Sequence, residues 1–339
     1  MDRPLRILVV TNLWPEGLSY RGLFVRDQVE AVRRRGHTVE VEVVAQSRGK
    51  ADYLLAAPRV ARRVRGGAYD LVHVHYGLAA PAARLVRGVP RVLSLYGSDV
   101  NVPWQRRFTR LGTGGVRARI YPSRRLVDAA GDRAGYVVPN GIDRALFTPA
   151  DRESARRALG LPPDEPIVLF GAAPANPVKG HDVFTDVLAA LRTRGINARE
   201  LVLAADAQPR ADVVRKFAAA DLLLVTSRRG TESGPLVVKE AAAMGLPVVS
   251  VDVGDVAEVL DGVKPSAVVG FPQPWGSAEA RQALVDRLAD TAAGILAVPA
   301  RSDGRERTGW LDTELVTDRL IAVYQAILTS GASSLKRDI

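Results

Sequence analysis

Two carboxylates eight residues apart, Glu232 and Glu240, flank a stretch that reads as the start of a helix, in residues 231–240, TESGPLVVKE. Gly234 and Pro235 stand where that helix should begin, since proline in a first turn has no N–H to leave without a partner. Leu236, Val237, Ala241 and Met244 then recur at helical spacing as the expected apolar stripe. The free amides of the first turn, around Leu236 and Val237, would form an anion site strengthened by the helix dipole. Glu232 falls just before that site, and Glu240 about 7 Å along the helix at ~1.5 Å rise per residue. Acids beside a phosphate cradle are unfavourable unless they accept hydrogen bonds from hydroxyls of the same ligand. A nucleotide sugar has that layout, with ribose on one side of a diphosphate and a sugar on the other. The spacing of the two glutamates alone reads better as a solvated helix face; it is the whole stretch that carries weight.

The elements that must position these groups are legible from periodicity. Residues 6–10, RILVV, form a short β-branched run, followed by a Gly/Pro-rich loop. LFVRDQVEAVRRRGH follows with a helical period ending at Gly36, and TVEVEVVAQ alternates as a second strand. YDLVHVHYG, a helix over LAAPAARLVRG and the strand RVLSLYG continue the pattern, which opens a doubly wound parallel α/β sheet. No G-x-G-x-x-G follows the first strand, which counts against a dinucleotide enzyme. After a linker rich in proline and charge, IVLFG, ELVLAAD, the continuous apolar run DLLLVTS and LPVVSVDVGD supply the strands of a second such unit. The expected division is an N-terminal domain over residues 1–143, a C-terminal domain over 144–315, and a closing helix and tail over 316–339.

Composition narrows the chemistry. The 339 residues include no cysteine, which excludes disulfides, thiolate metal sites and a cysteine nucleophile. The apolar run of the first residues is too short for a signal peptide and reads as a strand, and no window approaches a membrane span, so a cytoplasmic protein is expected. The net charge of +10 is uneven: residues 1–143 hold 24 Lys/Arg against 12 Asp/Glu, the remainder 23 against 25. An anionic membrane or an anionic acceptor suits such a first half. Nucleic acid is disfavoured, because no zinc-finger, RNA-recognition or KH signature accompanies the charge. Residues 103–125 are dense in arginine with Trp104, Phe108 and Leu111 at helical spacing, either a membrane-facing stretch or a domain helix with snorkelling arginines. His73 and His75 face one side of a strand. Without a convergent carboxylate they are a weak metal signal. His73 reads as a local hydrogen-bonding group, and His75, nearer the strand's carboxyl end, as a candidate to line an acceptor cleft.

TES-GP-L-VVKEA-A-GLPVVS-DVGDV-EV closely resembles the signature of family 4 glycosyltransferases, and the resemblance runs through most of the chain. Its wording is most similar to bacterial envelope polysaccharide transferases of the teichuronic acid type. The resemblance implies the GT-B fold, two Rossmann-like domains with a terminal helix crossing back to the first. It also implies retaining, metal-independent transfer from a nucleotide diphosphate sugar, with UDP expected and no cofactor. The acceptor would be a hydroxyl of a glycan, a lipid-linked or a small molecule. In this picture Lys179 and the amides of Leu236 and Val237 hold the leaving diphosphate, Glu232 the donor sugar and Glu240 the ribose, beside Gly234 and Pro235. Gly22 is either a backbone contact to the donor or a turn glycine. LSLYGSDVN resembles the family loop ending in His-Gly-x-Asp, placing Tyr96, Gly97 and Asp99 by the sugar or acceptor, with Asp99 equally readable as a helix cap. Two positions depart from the pattern: Tyr96 replaces the family histidine, and Ala172 or Ala173 stands where a phosphate-binding arginine is usual. A nucleotide-sugar epimerase on the same fold and a noncatalytic basic binding protein are the rival readings.

Overall fold

The computed structural model describes residues 3–17, 19–45, 47–203 and 209–329. Asp206, expected to end a strand, lies outside them. The chain divides into two compact units, one formed by the residues up to Gly141 together with those from Thr313 onward, the other by Ile142–Asp312.

Among the described residues the first unit carries a six-stranded parallel sheet in the order β2-β1-β3-β4-β5-β6. Its strands are β1 Arg6–Thr11, β2 Thr38–Val43, β3 Leu71–His75, β4 Arg91–Ser94, β5 Val116–Tyr121 and β6 Tyr136–Val137. β1 pairs in register with both β2 and β3, Thr11 lying opposite Val43 and His75. One face is covered by the helix Asp52–Gly67 and by a 3-10 segment, Gly77–Ala83, packed on Leu8, Val72, Val74 and Leu93. The α-helix expected over residues 78–88 is therefore only this short 3-10 turn. Pro81 lies inside it, and proline cannot donate within a helix and clashes with the carbonyl four residues back. The other face is covered by the helix Leu23–Arg34 and by the terminal helix Thr313–Thr329, whose Val316, Leu320, Val323, Tyr324 and Ile327 pack on Ile7 and Val9.

The second unit carries a five-stranded parallel sheet in the order β11-β10-β9-β7-β8. It is built from β7 Ile167–Phe170, β8 Arg199–Val202, β9 Leu222–Val225, β10 Val248–Val251 and β11 Ala267–Val269. β7, β9 and β10 are buried throughout, as continuous apolar strands between two helical layers must be. No helix of the described residues is long and apolar enough to cross a membrane.

Candidate active site

In an open parallel sheet a ligand binds beyond the carboxyl ends of the strands where the strand order reverses. In the second unit that point lies at β7, which pairs with β8 on one side and β9 on the other. The loop after β7 carries Lys179, at the end of the 3-10 turn Pro177–Lys179, and the loop after β9 carries Glu232. The two meet: Lys179 Nζ ion-pairs with Glu232 Oε1, and Ser227 Oγ donates to the same oxygen at 2.9 Å. Gly180 holds the loops at this distance. It adopts φ +66°, and a Cβ there would overlap the carbonyl oxygen of Thr226. Thr226 Oγ1 in turn donates to the carbonyl of Gly180 at 2.9 Å.

The helix following Glu232 spans Leu236–Ala243, with Pro235 just outside it as the flanking residue. Its buried side is Val238, Lys239 and Ala241–Ala243, continued by Met244. Of the expected apolar stripe Ala241 and Met244 are buried, whereas Leu236 and Val237 are only half-buried. The physical reason is that the first turn sits at the sheet's open end, where Val237 lies against Gly171 after β7, while the second turn faces the sheet. Glu240 is half-buried on this helix, one turn beyond the amides of its start.

Sequence reasoning passed over Lys239. Its side chain is 0% exposed and pairs at 2.6 Å with Asp255, itself 4% exposed. Asp255, in the loop after β10, is committed inward. Its carboxylate lies directly beneath Gly234, where an added Cβ would come within 2.8 Å of Oδ2. The loops after β9 and β10 are thus clamped by a buried ion pair.

In the first unit the strand order reverses between β1 and β3, and the groups expected there do gather, though in a different role. His73 and His75 lie with ring centres 3.9 Å apart and both are buried. His73 bridges Tyr324 of the terminal helix (2.6 Å) and Ser94 (2.8 Å), long-range contacts in place of the expected local one. His75 Nδ1 bonds the Tyr96 hydroxyl at 2.6 Å. Burial lowers both histidines, His75 to about 3, and raises Tyr96. His75 is therefore a buried, neutral group at the carboxyl end of β3. Asp99 is likewise internal. Its oxygens accept the amides of Tyr96 (3.0 Å), Gly97 (2.9 Å) and Gly77 (2.9 Å), so it shapes the loops after β3 and β4. Gly97, just before the helical turn Ser98–Asn101, is buried as well. Gly22 takes φ +80° at the start of its helix, and a Cβ would strike the backbone of Leu13 and Trp14; the turn and its packing alone require glycine. Tyr76, which the sequence did not single out, has φ +77°, a conformation rare outside glycine and often found at functional sites. Its hydroxyl bonds Ser98 Oγ at 2.5 Å and Gln105 Oε1 at 2.7 Å.

Two parallel α/β units of this kind have the architecture of GT-B glycosyltransferases. The chain belongs to glycosyltransferase family 4. The family model Glycosyltransferase Family 4 matches residues 6–146, and Glycosyl transferases group 1 matches residues 206–290. The D-inositol 3-phosphate glycosyltransferase of Actinosynnema mirum is 32% identical, with 78% of this chain and 74% of that protein covered. The enzyme of the same name from Segniliparus rotundus is 30% identical, with 80% and 69% covered. Among solved structures, sucrose-phosphate synthase from Thermosynechococcus elongatus has a TM-score of 0.72 at 18% identity, covering 97% of this chain and 100% of that one. Anabaena HepE, solved in complex with UDP-glucose, has a TM-score of 0.65 at 19% identity, covering 95% and 100%. These structures share the fold. The relatives are named for D-inositol 3-phosphate, which corrects the expected likeness to teichuronic acid transferases.

Proposed function

We propose that this enzyme transfers a glycosyl group, with retention of configuration and without a metal, from a nucleoside diphosphate sugar to a hydroxyl of a small phosphorylated polyol. UDP is the expected nucleotide. The observation that carries the reading is the Lys179–Glu232 pair at the carboxyl ends of β7 and β9, next to the free amides of the helix Leu236–Ala243. An arriving diphosphate competes for Lys179 and draws it from Glu232, whose carboxylate then accepts from a donor sugar hydroxyl. Glu240 accepts from the ribose. The anomeric carbon–oxygen bond to the diphosphate breaks as the acceptor oxygen bonds to the same face, and the acceptor proton passes to the leaving phosphate oxygen. The protein contributes position and charge stabilisation and supplies no nucleophile.

Support for a phosphorylated acceptor comes from the names of the relatives and from the basic excess of residues 1–143. The same excess supports a cytoplasmic enzyme working at an anionic membrane surface. Calorimetric titration with UDP, GDP and dTDP tests the donor: UDP should bind tightest, and Glu240→Ala should weaken it. Transfer from the corresponding UDP-sugar to inositol 3-phosphate, with inositol as control, tests the acceptor. Equal turnover on both, or tightest binding of GDP or dTDP, would count against the respective assignment.

A further inference from the structure

The first unit exposes apolar side chains in one region. Of the seven large hydrophobic residues exposed among those described, five lie on three elements packed against one another: Leu54 and Leu55 on the helix Asp52–Gly67, Leu85 just after the 3-10 segment, and Trp104 and Leu111 on the helix Pro103–Thr113. Trp104 is 60% exposed, Leu111 57% and Leu55 68%. Both helices pack on the 3-10 segment, all of whose residues are buried, and they meet through the rings of Tyr53 and Phe108, 6.0 Å apart. On the helix Pro103–Thr113 the core side is Thr109 and Gly112, so Trp104, Arg107, Arg110 and Leu111 point outward.

Arginine is interleaved with these apolar groups. Residues 71–127 contain ten arginines and a single acid, Asp99, which is buried among backbone amides. On the helix Asp52–Gly67, Arg59 and Arg63 are committed to Asp52, Glu42 and Glu40, while Arg62 and Arg65 are exposed. Arg107 and Arg110 make no ion pair among the described residues. A second copy of the chain docked on this face by a two-fold axis would set arginine against arginine. A nucleic acid would use the charge and could stack on Trp104, but would leave Leu55 and Leu111 without a role. The headgroup region of an anionic bilayer accommodates both, with indole and leucine at the acyl boundary and guanidinium groups among phosphates.

We propose that the outer face of the helices Asp52–Gly67 and Pro103–Thr113 docks on an anionic lipid surface, Trp104 and Leu111 inserting and Arg107 and Arg110 contacting lipid phosphates. The inference deepens the membrane-surface part of the proposed function and is independent of the donor and acceptor assignments. The full chain is sedimented with vesicles of phosphatidylcholine alone and of phosphatidylcholine mixed with phosphatidylglycerol. Binding is expected only to the mixed vesicles and should weaken with added salt. Trp104→Ser/Leu111→Ser and Arg107→Glu/Arg110→Glu should each reduce the partition coefficient about tenfold or more. Val298→Ser, an exposed apolar residue of the other unit, should change nothing. Should a double variant fail to fold, brominated phosphatidylglycerol vesicles quench the tryptophan fluorescence of the wild type, and Trp104→Phe should remove that quenching. The proposal is overturned by absence of binding to the mixed vesicles, by binding indifferent to lipid charge or to both double variants, or by quenching that survives Trp104→Phe. Retention on RNA without vesicle binding would overturn it as well.

Discussion

Lys179 and Glu232 come from loops 53 positions apart and pair with each other, and Ser227 donates to the same carboxylate oxygen. Glu232→Ala should lower turnover by about two to three orders of magnitude, the scale of losing one group that stabilises a transition state. Its unfolding midpoint should stay close to wild type, since a surface-proximal ion pair contributes little. Steady-state kinetics beside thermal melting checks both, and wild-type turnover would remove Glu232 from the mechanism. The Lys239–Asp255 pair behaves oppositely. Removing one partner leaves a desolvated charge, so Asp255→Ala should destabilise the protein by about 3–5 kcal/mol. Lys239→Met/Asp255→Leu should recover most of that loss in urea unfolding. The outer acid was readable because TES-GP departs from an ordinary helix start. Lys239 was not, because a single lysine in VVKEA reads as a solvated residue until the helix face that turns inward is known.

At the level of elements, the terminal helix Thr313–Thr329 packs on the first sheet through an apolar seam and a buried polar contact, Tyr324 to His73. Tyr324→Phe should leave His73 Nδ1 without its hydrogen-bond partner in a buried site and cost about 1–3 kcal/mol. Hydrogen exchange should show the loss first in the amides of residues 313–329. The arginines at the end of the helix Leu23–Arg34 also reach this helix, Arg34 to Glu314 and Arg35 to Glu314 and Asp318, but these pairs are exposed and contribute less. Most strands were legible as short apolar or alternating runs bounded by Gly, Pro and Asn, because parallel strands buried on both faces tolerate few polar residues. The segment after β3 was not, since LAAPAARLV has helical composition and only the position of Pro81 within the turn decides against it. The contact between His73 and Tyr324 spans 251 positions, and no local pattern announces a partner at that distance.

At the scale of the molecule, the two buried histidines make stability depend on pH. His75 is lowered to about 3 from 6.5, and His73 is also lowered, by burial and the neighbouring ring. Unfolding lets each bind a proton that the folded state excludes, so stability is complete above about 6.5 and falls as pH drops towards 3. The slope should exceed about 1 kcal/mol per pH unit in that window, read from urea midpoints at successive pH values. A His75→Asn variant should show a shallower slope whatever its absolute stability. The division of the chain has a further consequence. Ile142–Asp312 enters and leaves side by side, with Ile142 donating to the carbonyl of Leu311 at 2.8 Å and Gly141 against Thr313. The second unit is an insertion between β6 and the last helix of the first. On the ribosome, the order of completion is therefore reversed. The later-synthesised unit has all of its strands before the earlier one receives Val316, Leu320 and Tyr324, and a nascent chain halted at residue 312 should hold a protease-resistant second unit beside a first that is still readily cleaved. For the length of one long translation interval, the face of β1 and β3 that ends up against the terminal helix has no cover from its own chain, and it is there that a chaperone would find the most to hold.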